Sequence, residues 1–166
     1  MKTVLYGLFR WLAVATAIAF LFLTGAGNDA RNANPQKVFE SICLSADMTN
    51  LQPASNQMIK RLYDINPADY EFCMLYYPKT NMDVDELLLV KFTDRSQEEA
   101  LRNAAQSRLN GQKKAFEGYG AEQMELLGSH SLTESRSGFF LFAVNPNDAE
   151  IRSAFVKALE EESSCR

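Results

Sequence analysis

Apolar and polar positions alternate along this chain in patterns that predict several amphipathic helices. Apolar residues recur at three- and four-residue spacing, as on the buried face of a helix. The first helix begins at Pro35, the third behind a Ser96–Glu99 capping box, and the last behind an Asp148 cap. Residues 121–127, "AEQMELL", predict a further helical turn. The predicted buried faces are Val38, Phe39, Ile42 and Cys43; Met58, Ile59, Leu62 and Tyr63; Leu101, Ala105, Leu109, Phe116 and Tyr119; and Ile151, Phe155, Val156 and Leu159.

Strand patterns lie between these helices. "EFCMLYYP", which ends at Pro78, and "ELLLVKFT" are short apolar runs bounded by turn residues. "SHSLTES" and "GFFLFAVN" flank an Arg136-Ser137-Gly138 turn. Each pair is close enough in sequence to form an antiparallel hairpin. The chain therefore predicts an α+β fold of two layers, in which amphipathic helices cover an antiparallel sheet of about four strands.

The length of 166 residues is typical of one domain with short appendages. We expect a leader over residues 1–27, a polar linker over 28–34 and a single α+β domain over 35–160. Residues 161–166, "EESSCR", predict a polar tail.

The leader has two interpretations that the sequence leaves open. Lys2 and Arg10 precede an uncharged apolar run, and small residues follow it, as in a secretory signal peptide. Alternatively, residues 4–26 form a helix that anchors the chain in a membrane. Because the positive charges precede the apolar run, both interpretations place the domain outside the cytoplasm, either secreted or anchored to the cytoplasmic membrane.

The charge balance excludes some partners. The formal net charge is -4, and phosphate backbones require clustered Lys and Arg, so we expect no nucleic-acid partner. The same balance disfavours electrostatic docking on anionic lipid. Any membrane contact is therefore expected through residues 4–26 alone.

No residue set has the spacing of a catalytic or metal site. His130 is the single histidine, and only serines on the same predicted strand accompany it. Asp83, Asp85 and Glu86 lie close together in "NMDVDE", but a calcium loop needs further ligands, so we expect a solvated acidic loop. No glycine-rich phosphate loop is present. We therefore predict no catalytic residues, no metal and no cofactor.

Cysteines and tyrosines supply the remaining candidates. Cys43 and Cys73 are candidates for a disulfide, since both are predicted to lie in the core of an exported domain. Tyrosines are frequent, and exposed tyrosine rings bind glycans and peptides. The candidate ligand-binding residues are Tyr76, Tyr77 and Tyr119.

Four segments resemble a known family: "LYDINPADYEF", "DVDELLLVKFTD", "ALRNAAQSRLNGQKKAFEGYGAEQMELL" and "GFFLFAVNPN". They are similar to short extracytoplasmic proteins of Gram-positive bacteria grouped as a domain of unknown function, DUF4358. The resemblance covers about residues 37 to 160. It rests on Leu62, Tyr63 and Ile65, on Asp85 and Glu86, and on Gln112, Phe116 and Tyr119. The resemblance implies where the protein is located and how far the domain extends along the chain. It implies no biochemical activity. Many members carry a lipoprotein cysteine after the leader, which this chain lacks.

These observations leave the biochemical function unknown. The leading hypothesis is a non-enzymatic accessory or binding module of the bacterial envelope, whose partner is a protein, a peptide or a glycan. A hydrolase whose carboxylates are brought together only by the fold is one alternative. A structural subunit of a membrane complex is the other.

Overall fold

The computed structural model describes residues 30–164, so the leader and Cys165 lie outside the described residues. Short 3-10 turns occupy Ala30–Asn32 and Pro67–Asp69. The five helices are α1 (Pro35–Ser45), α2 (Asn56–Tyr63), α3 (Arg95–Phe116), α4 (Ala121–Ser129) and α5 (Asp148–Ser164). The five strands are β1 (Leu51–Pro53), β2 (Phe72–Pro78), β3 (Glu86–Lys91), β4 (Ser131–Arg136) and β5 (Phe139–Val144).

The strands form one antiparallel sheet in the order β1-β2-β3-β5-β4. Strands β3 and β5 lie at its centre and pair along their full length, from Glu86 opposite Val144 to Lys91 opposite Phe139. The α+β prediction is therefore confirmed, but the sheet has five strands. The additional strand is β1, which contains Pro53 and lies at the edge, where a missing backbone donor is tolerated.

Helices cover both faces of the sheet, so the domain has three layers and the predicted two-layer arrangement is wrong. Alternate residues of a strand point to opposite faces, and every residue of β3 and β5 is buried. Both central strands therefore need cover on both sides. Face A carries Leu75, Leu88, Val90, Phe140 and Phe142 under α2, α3 and α4. Face B carries Leu87, Leu89, Phe139, Leu141 and Ala143 under α1 and α5.

Side-chain caps fix where the helices begin. The side chain of Ser55 accepts a hydrogen bond from the Met58 amide at the start of α2. The capping box of α3 is formed by Asp94 and Gln97, and the prediction of Ser96 with Glu99 is wrong. Ser96 instead donates its amide to the Asp94 carboxylate at 2.7 Å, because the chain becomes helical at Arg95.

The last helix also begins slightly differently from the prediction. The Ile151 amide donates to the Asn147 carbonyl, so Asp148 lies in the first turn of α5 and does not cap it. Its carboxylate lies 2.8 Å from Nδ1 of His130. The buried face of Ile151, Phe155 and Leu159 is confirmed.

The predicted turn between β4 and β5 is confirmed. Ser137 and Gly138 both have positive φ, 52° and 81°, which matches the two-residue turns that suit the twist of a hairpin. A Cβ at Gly138 would lie 3.2 Å from the carbonyl oxygen of Phe92. Glycine therefore permits both the backbone angle and the close approach of the two chain segments.

The predicted domain boundaries at 35–160 stay predictions. Helix α5 runs through Ser164, and Glu162 accepts a hydrogen bond from Lys37 at 2.9 Å. Within residues 30–164, no helix has the length and apolar character needed to cross a bilayer.

Candidate functional site

A cleft of about 270 Å³ opens on face A between α2, α3 and the loop that joins β2 to β3. Its walls combine apolar side chains with two guanidinium groups. The apolar side chains include Met58, Leu62, Tyr77, Pro78 and Phe116, and the polar ones include Arg61, Asp83, Arg108 and Gln112. This mixture is typical of small-ligand sites.

A buried carboxylate lies behind the cleft wall. Glu86 is the first residue of β3 and has no exposed surface. Arg108 and Gln112 are four residues apart on α3, so both project toward the same point. Arg108 Nε donates to Oε1 and Oε2 of Glu86 at 3.3 and 3.0 Å, and Gln112 Nε2 donates to Oε2 at 3.1 Å. We call these three residues and Tyr63 the ionic cluster.

Burial dominates the electrostatics of the ionic cluster. It raises the pKa of Glu86 above the ordinary value, and the Arg108 charge, the nearby Tyr63 hydroxyl and the hydrogen bonds from Arg108 and Gln112 only partly oppose it. The charged carboxylate is therefore held at a net cost to the folded state. Since Glu86 is sealed from solvent, it orients Arg108 and does not face the cleft.

Two polar atoms of the ionic cluster lack full hydrogen bonds. The Tyr63 hydroxyl and Gln112 Oε1 are buried, and neither has a partner of standard geometry among the described residues. The hydroxyl faces the Glu86 carboxylate closely enough that each affects the other's pKa, and burial raises the pKa of Tyr63 well above its usual range. Unsatisfied buried groups are rare in folded proteins and cost stability.

The cleft also holds one unpaired cation. Arg61 on α2 makes no ion pair with any residue in the described part of the chain, whereas Arg108 is neutralised by Glu86. Asp83 in the cleft wall accepts a hydrogen bond from the Thr80 hydroxyl at 2.8 Å. Arg61 therefore gives the cleft a charge that is free to meet a ligand.

The structure does not bring the three candidate tyrosines together. Tyr77 lines the cleft. Tyr76 points to face B, where its ring lies 5.6 Å from that of Phe39. Tyr119 lies beyond the end of α3 and is 68% exposed, so its predicted place on the buried helix face is wrong. Of the three, Tyr77 alone contributes to the cleft.

The candidate disulfide between Cys43 and Cys73 is not formed. Cys43 packs with face B and Cys73 with face A, so the central sheet separates the two free thiols. Burial raises the pKa of Cys43 to about 11 and that of Cys73 to about 12. Both therefore resemble small core residues more than reactive thiols.

The predicted acidic loop is only partly solvated. Asp83 and Asp85 are half-buried and Glu86 is fully buried, because the chain turns inward to start β3. Burial raises the pKa of Asp85. Over residues 30–164, no group of three His, Cys, Asp or Glu side chains could hold a metal ion. His130, which the sequence places on a strand, instead follows α4 and contacts Asp148.

Sequence reasoning missed the ionic cluster, although two signals pointed to it. Glu86 opens a strand that is otherwise apolar up to Val90. Gln112 occupies the apolar stripe of α3 between Leu109 and Phe116. A polar residue at a buried position of each element indicates that the two elements meet there through polar contacts.

Comparison with known proteins gives one family. The family described as "Domain of unknown function (DUF4358)" matches residues 44–145, which is more than half of the chain. The protein belongs to this family. The match confirms the resemblance to DUF4358 over residues 44–145, a range that includes the ionic cluster and all residues of the cleft. No curated protein and no solved structure matches the chain significantly. The DUF4358 domain has no assigned activity, so its function is unknown.

Proposed function

We propose that this DUF4358 domain is a non-catalytic binding module that holds a peptide segment in the cleft on face A. The observation that carries this proposal is the ionic cluster directly behind the cleft. Its buried carboxylate has a raised pKa, and two of its polar atoms lack a hydrogen-bond partner of standard geometry among the described residues. Charged and unsatisfied groups of this kind lower stability and are concentrated at functional sites.

The chemistry of the cleft favours a peptide. Met58, Leu62 and Tyr77 offer apolar contact for a side chain. Arg61 and Arg108 offer donors for carbonyl or carboxylate oxygens, and Glu86 holds Arg108 in a fixed orientation. A glycan site would favour a flat exposed ring in the wall, and the exposed ring of Tyr119 lies outside the cleft lining.

The location of this module is part of the same proposal. Two positive charges followed by an apolar run support export of the domain, whether residues 1–27 are removed or residues 4–26 remain as an anchor. The peptide would then belong to an envelope protein or to the cell wall. Sequencing the mature N-terminus, together with cell fractionation, tests the location independently of binding.

Binding is tested by titrating the full chain in a neutral detergent with a library of short peptides and soluble cell-wall fragments, followed by thermal shift and calorimetry. Arg61→Ala removes the unpaired cation of the cleft. Lys60→Ala removes the adjacent exposed charge on α2, which does not line the cleft, and serves as the control.

We expect a peptide that raises the melting temperature of the wild type and of Lys60→Ala, with affinity at least about tenfold weaker for Arg61→Ala. If sugars bind and no peptide does, the ligand of the cleft is a glycan, and the peptide proposal is wrong. Equal binding by Arg61→Ala, Tyr77→Ala and wild type would show that the cleft is not the site.

A further inference from the structure

A second, smaller pocket of about 160 Å³ lies at the other end of β3. Its wall is formed by the segment before α1, the start of β2, the end of β3, the first residue of α3 and the β4–β5 turn. We call it the basic pocket, because Arg31, Lys91 and Arg95 line it together with Glu71, Ser137 and Gly138. It shares no residue with the cleft on face A.

Lys91 is the buried component of the basic pocket. Its side chain is only 9% exposed. Nζ lies 2.7 Å from Oε1 of Glu71 and 3.3 Å from the carbonyl oxygen of Ala33, and 5.5 Å from the ring centroid of Phe139. An ammonium group has three donors, and the hydrogen bonds to Glu71 and Ala33 use two of them. The third donor makes no hydrogen bond with any residue in the described part of the chain.

The two arginines are held at the mouth of the basic pocket without ion pairs. Neither Arg31 nor Arg95 pairs with a carboxylate among the residues that the structure describes. Arg31 lies against the β4–β5 turn, since its Cγ is 3.8 Å from the place of a Cβ on Gly138. Three cations thus face one carboxylate, Glu71, in a chain whose net charge is negative.

We propose that the basic pocket binds a phosphate group. The excess of two positive charges matches a phosphate monoester or inorganic phosphate, which carries about -1.5 to -2 at neutral pH. A phosphate diester carries a single negative charge and would leave one of these cations to the solvent, so a monoester or inorganic phosphate matches the charge of the basic pocket more closely. Two guanidinium groups and one ammonium group in the lining of one pocket also suit a tetrahedral group with several acceptor oxygens. Ser137, whose side chain carries a further donor, also lines the pocket. This inference does not depend on the peptide-binding proposal.

The phosphate has two conceivable sources. One is a soluble phosphate or phosphate monoester. The other is a lipid headgroup, since Arg31 follows residue 26, the end of the predicted anchor, by five positions, which span at most about 18 Å of extended chain. A soluble headgroup analogue, glycerophosphoglycerol, carries the phosphate diester of an anionic lipid without its acyl chains.

The test is calorimetric titration of the full chain, in a neutral detergent at low salt, with inorganic phosphate and separately with glycerophosphoglycerol. Arg31→Gln and Arg95→Gln each remove one pocket cation from an exposed side chain, so neither should unfold the domain. Lys114→Gln, which removes an exposed charge at the other end of α3, is the matched control. Melting temperatures of all variants verify the fold.

We expect saturable binding that weakens at least about tenfold in each arginine variant and by less than about twofold in Lys114→Gln. Preference for inorganic phosphate supports the soluble source, and preference for glycerophosphoglycerol supports the headgroup; either result keeps the site. Absence of saturable binding to both probes would overturn the proposal. So would equal weakening in Lys114→Gln, because the attraction would then come from overall charge alone.

Discussion

The central strand β3 carries a buried charge at each end, and the protein accommodates the two charges differently. Glu86 begins the strand on face A with no exposed surface, and its charged partner Arg108 is only 20% exposed. Lys91 ends the strand on face B, but its partner Glu71 is 50% exposed. The first pair is nearly removed from water, while the second shares its charge with solvent.

The exposure of the partner decides how a buried charge affects the stability of the fold. A desolvated pair returns less energy than its burial costs unless the geometry is very good, and breaking it leaves an uncompensated charge. When one partner of an ion pair is exposed, removing the buried partner costs less stability, because the remaining charge is solvated. The buried charge of Glu86 should therefore lower the stability of the fold, and the loss of its partner should lower it further. The charge of Lys91 should lower stability less, and its pocket is open to a ligand.

The largest effect should follow from Arg108→Met. The substitution leaves Glu86 buried without a counter-ion, so we expect a loss of about 3 to 5 kcal/mol in the free energy of unfolding, measured by urea denaturation at pH 7. Arg102→Met on the same helix removes an exposed i,i+4 pair with Glu98. It should change stability by less than about 0.5 kcal/mol. Similar losses in both variants would remove the distinction between the pairs.

A smaller effect is expected from Lys91→Met. The methionine keeps most of the apolar stem, and Glu71 returns to water, so the loss should be about 1 to 2 kcal/mol from the hydrogen bonds and the Phe139 contact. Urea denaturation under the same conditions gives the comparison. A loss as large as that of Arg108→Met would show that Lys91 is as dependent on its partner as Glu86 is.

The smallest effect should come from Tyr63→Phe. The hydroxyl has no hydrogen-bond partner of standard geometry, so its removal deletes a desolvated group and leaves the ring packed against Phe142. We expect the free energy of unfolding to change by less than about 1 kcal/mol, in either direction. A loss above about 2 kcal/mol would mean that the hydroxyl makes a strong bond to Glu86.

The sequence was sufficient to predict most elements of this fold. Four helices, four strands and the Ser137-Gly138 turn follow from residue periodicity and turn chemistry. Strand β1 could not be predicted, because three residues that include Pro53 carry no strand pattern and only pairing with β2 makes them one. The second covered face was also missed, although β3 and β5 are apolar at nearly every position, which indicates burial on both sides.

The candidate sites were harder to predict because they depend on distant residues. Glu86 and Arg108 are 22 positions apart, and Arg31 and Lys91 line one pocket although Arg31 precedes α1 and Lys91 ends β3. Tyr77 was named as a candidate from its residue type, but its role depends on the face of β2 to which it points. Residue type and spacing thus identify candidates within one element, and only the packing of elements selects among them.

The most direct test of this account is the stability of Glu86→Gln as a function of pH. The pKa of Glu86 in the folded state is raised above its ordinary value of 4.5. The folded protein therefore binds this proton more tightly than the unfolded chain. The contribution of Glu86 to the free energy of unfolding is therefore most favourable below pH 4.5. It declines as the pH rises from 4.5 through the raised pKa of the folded state, and above that pKa it is constant.

Glutamine mimics the protonated carboxyl group and removes this titration. Urea denaturation of both proteins between pH 4 and 8 should show similar stability at the acidic end, and Glu86→Gln as the more stable protein at pH 7. That result would show that the charge at this end of β3 is kept despite its cost to stability, as a binding site requires. A wild type more stable than Glu86→Gln by over about 2 kcal/mol at pH 7 would contradict the account, since the charged pair would then be a stabilising element of the fold.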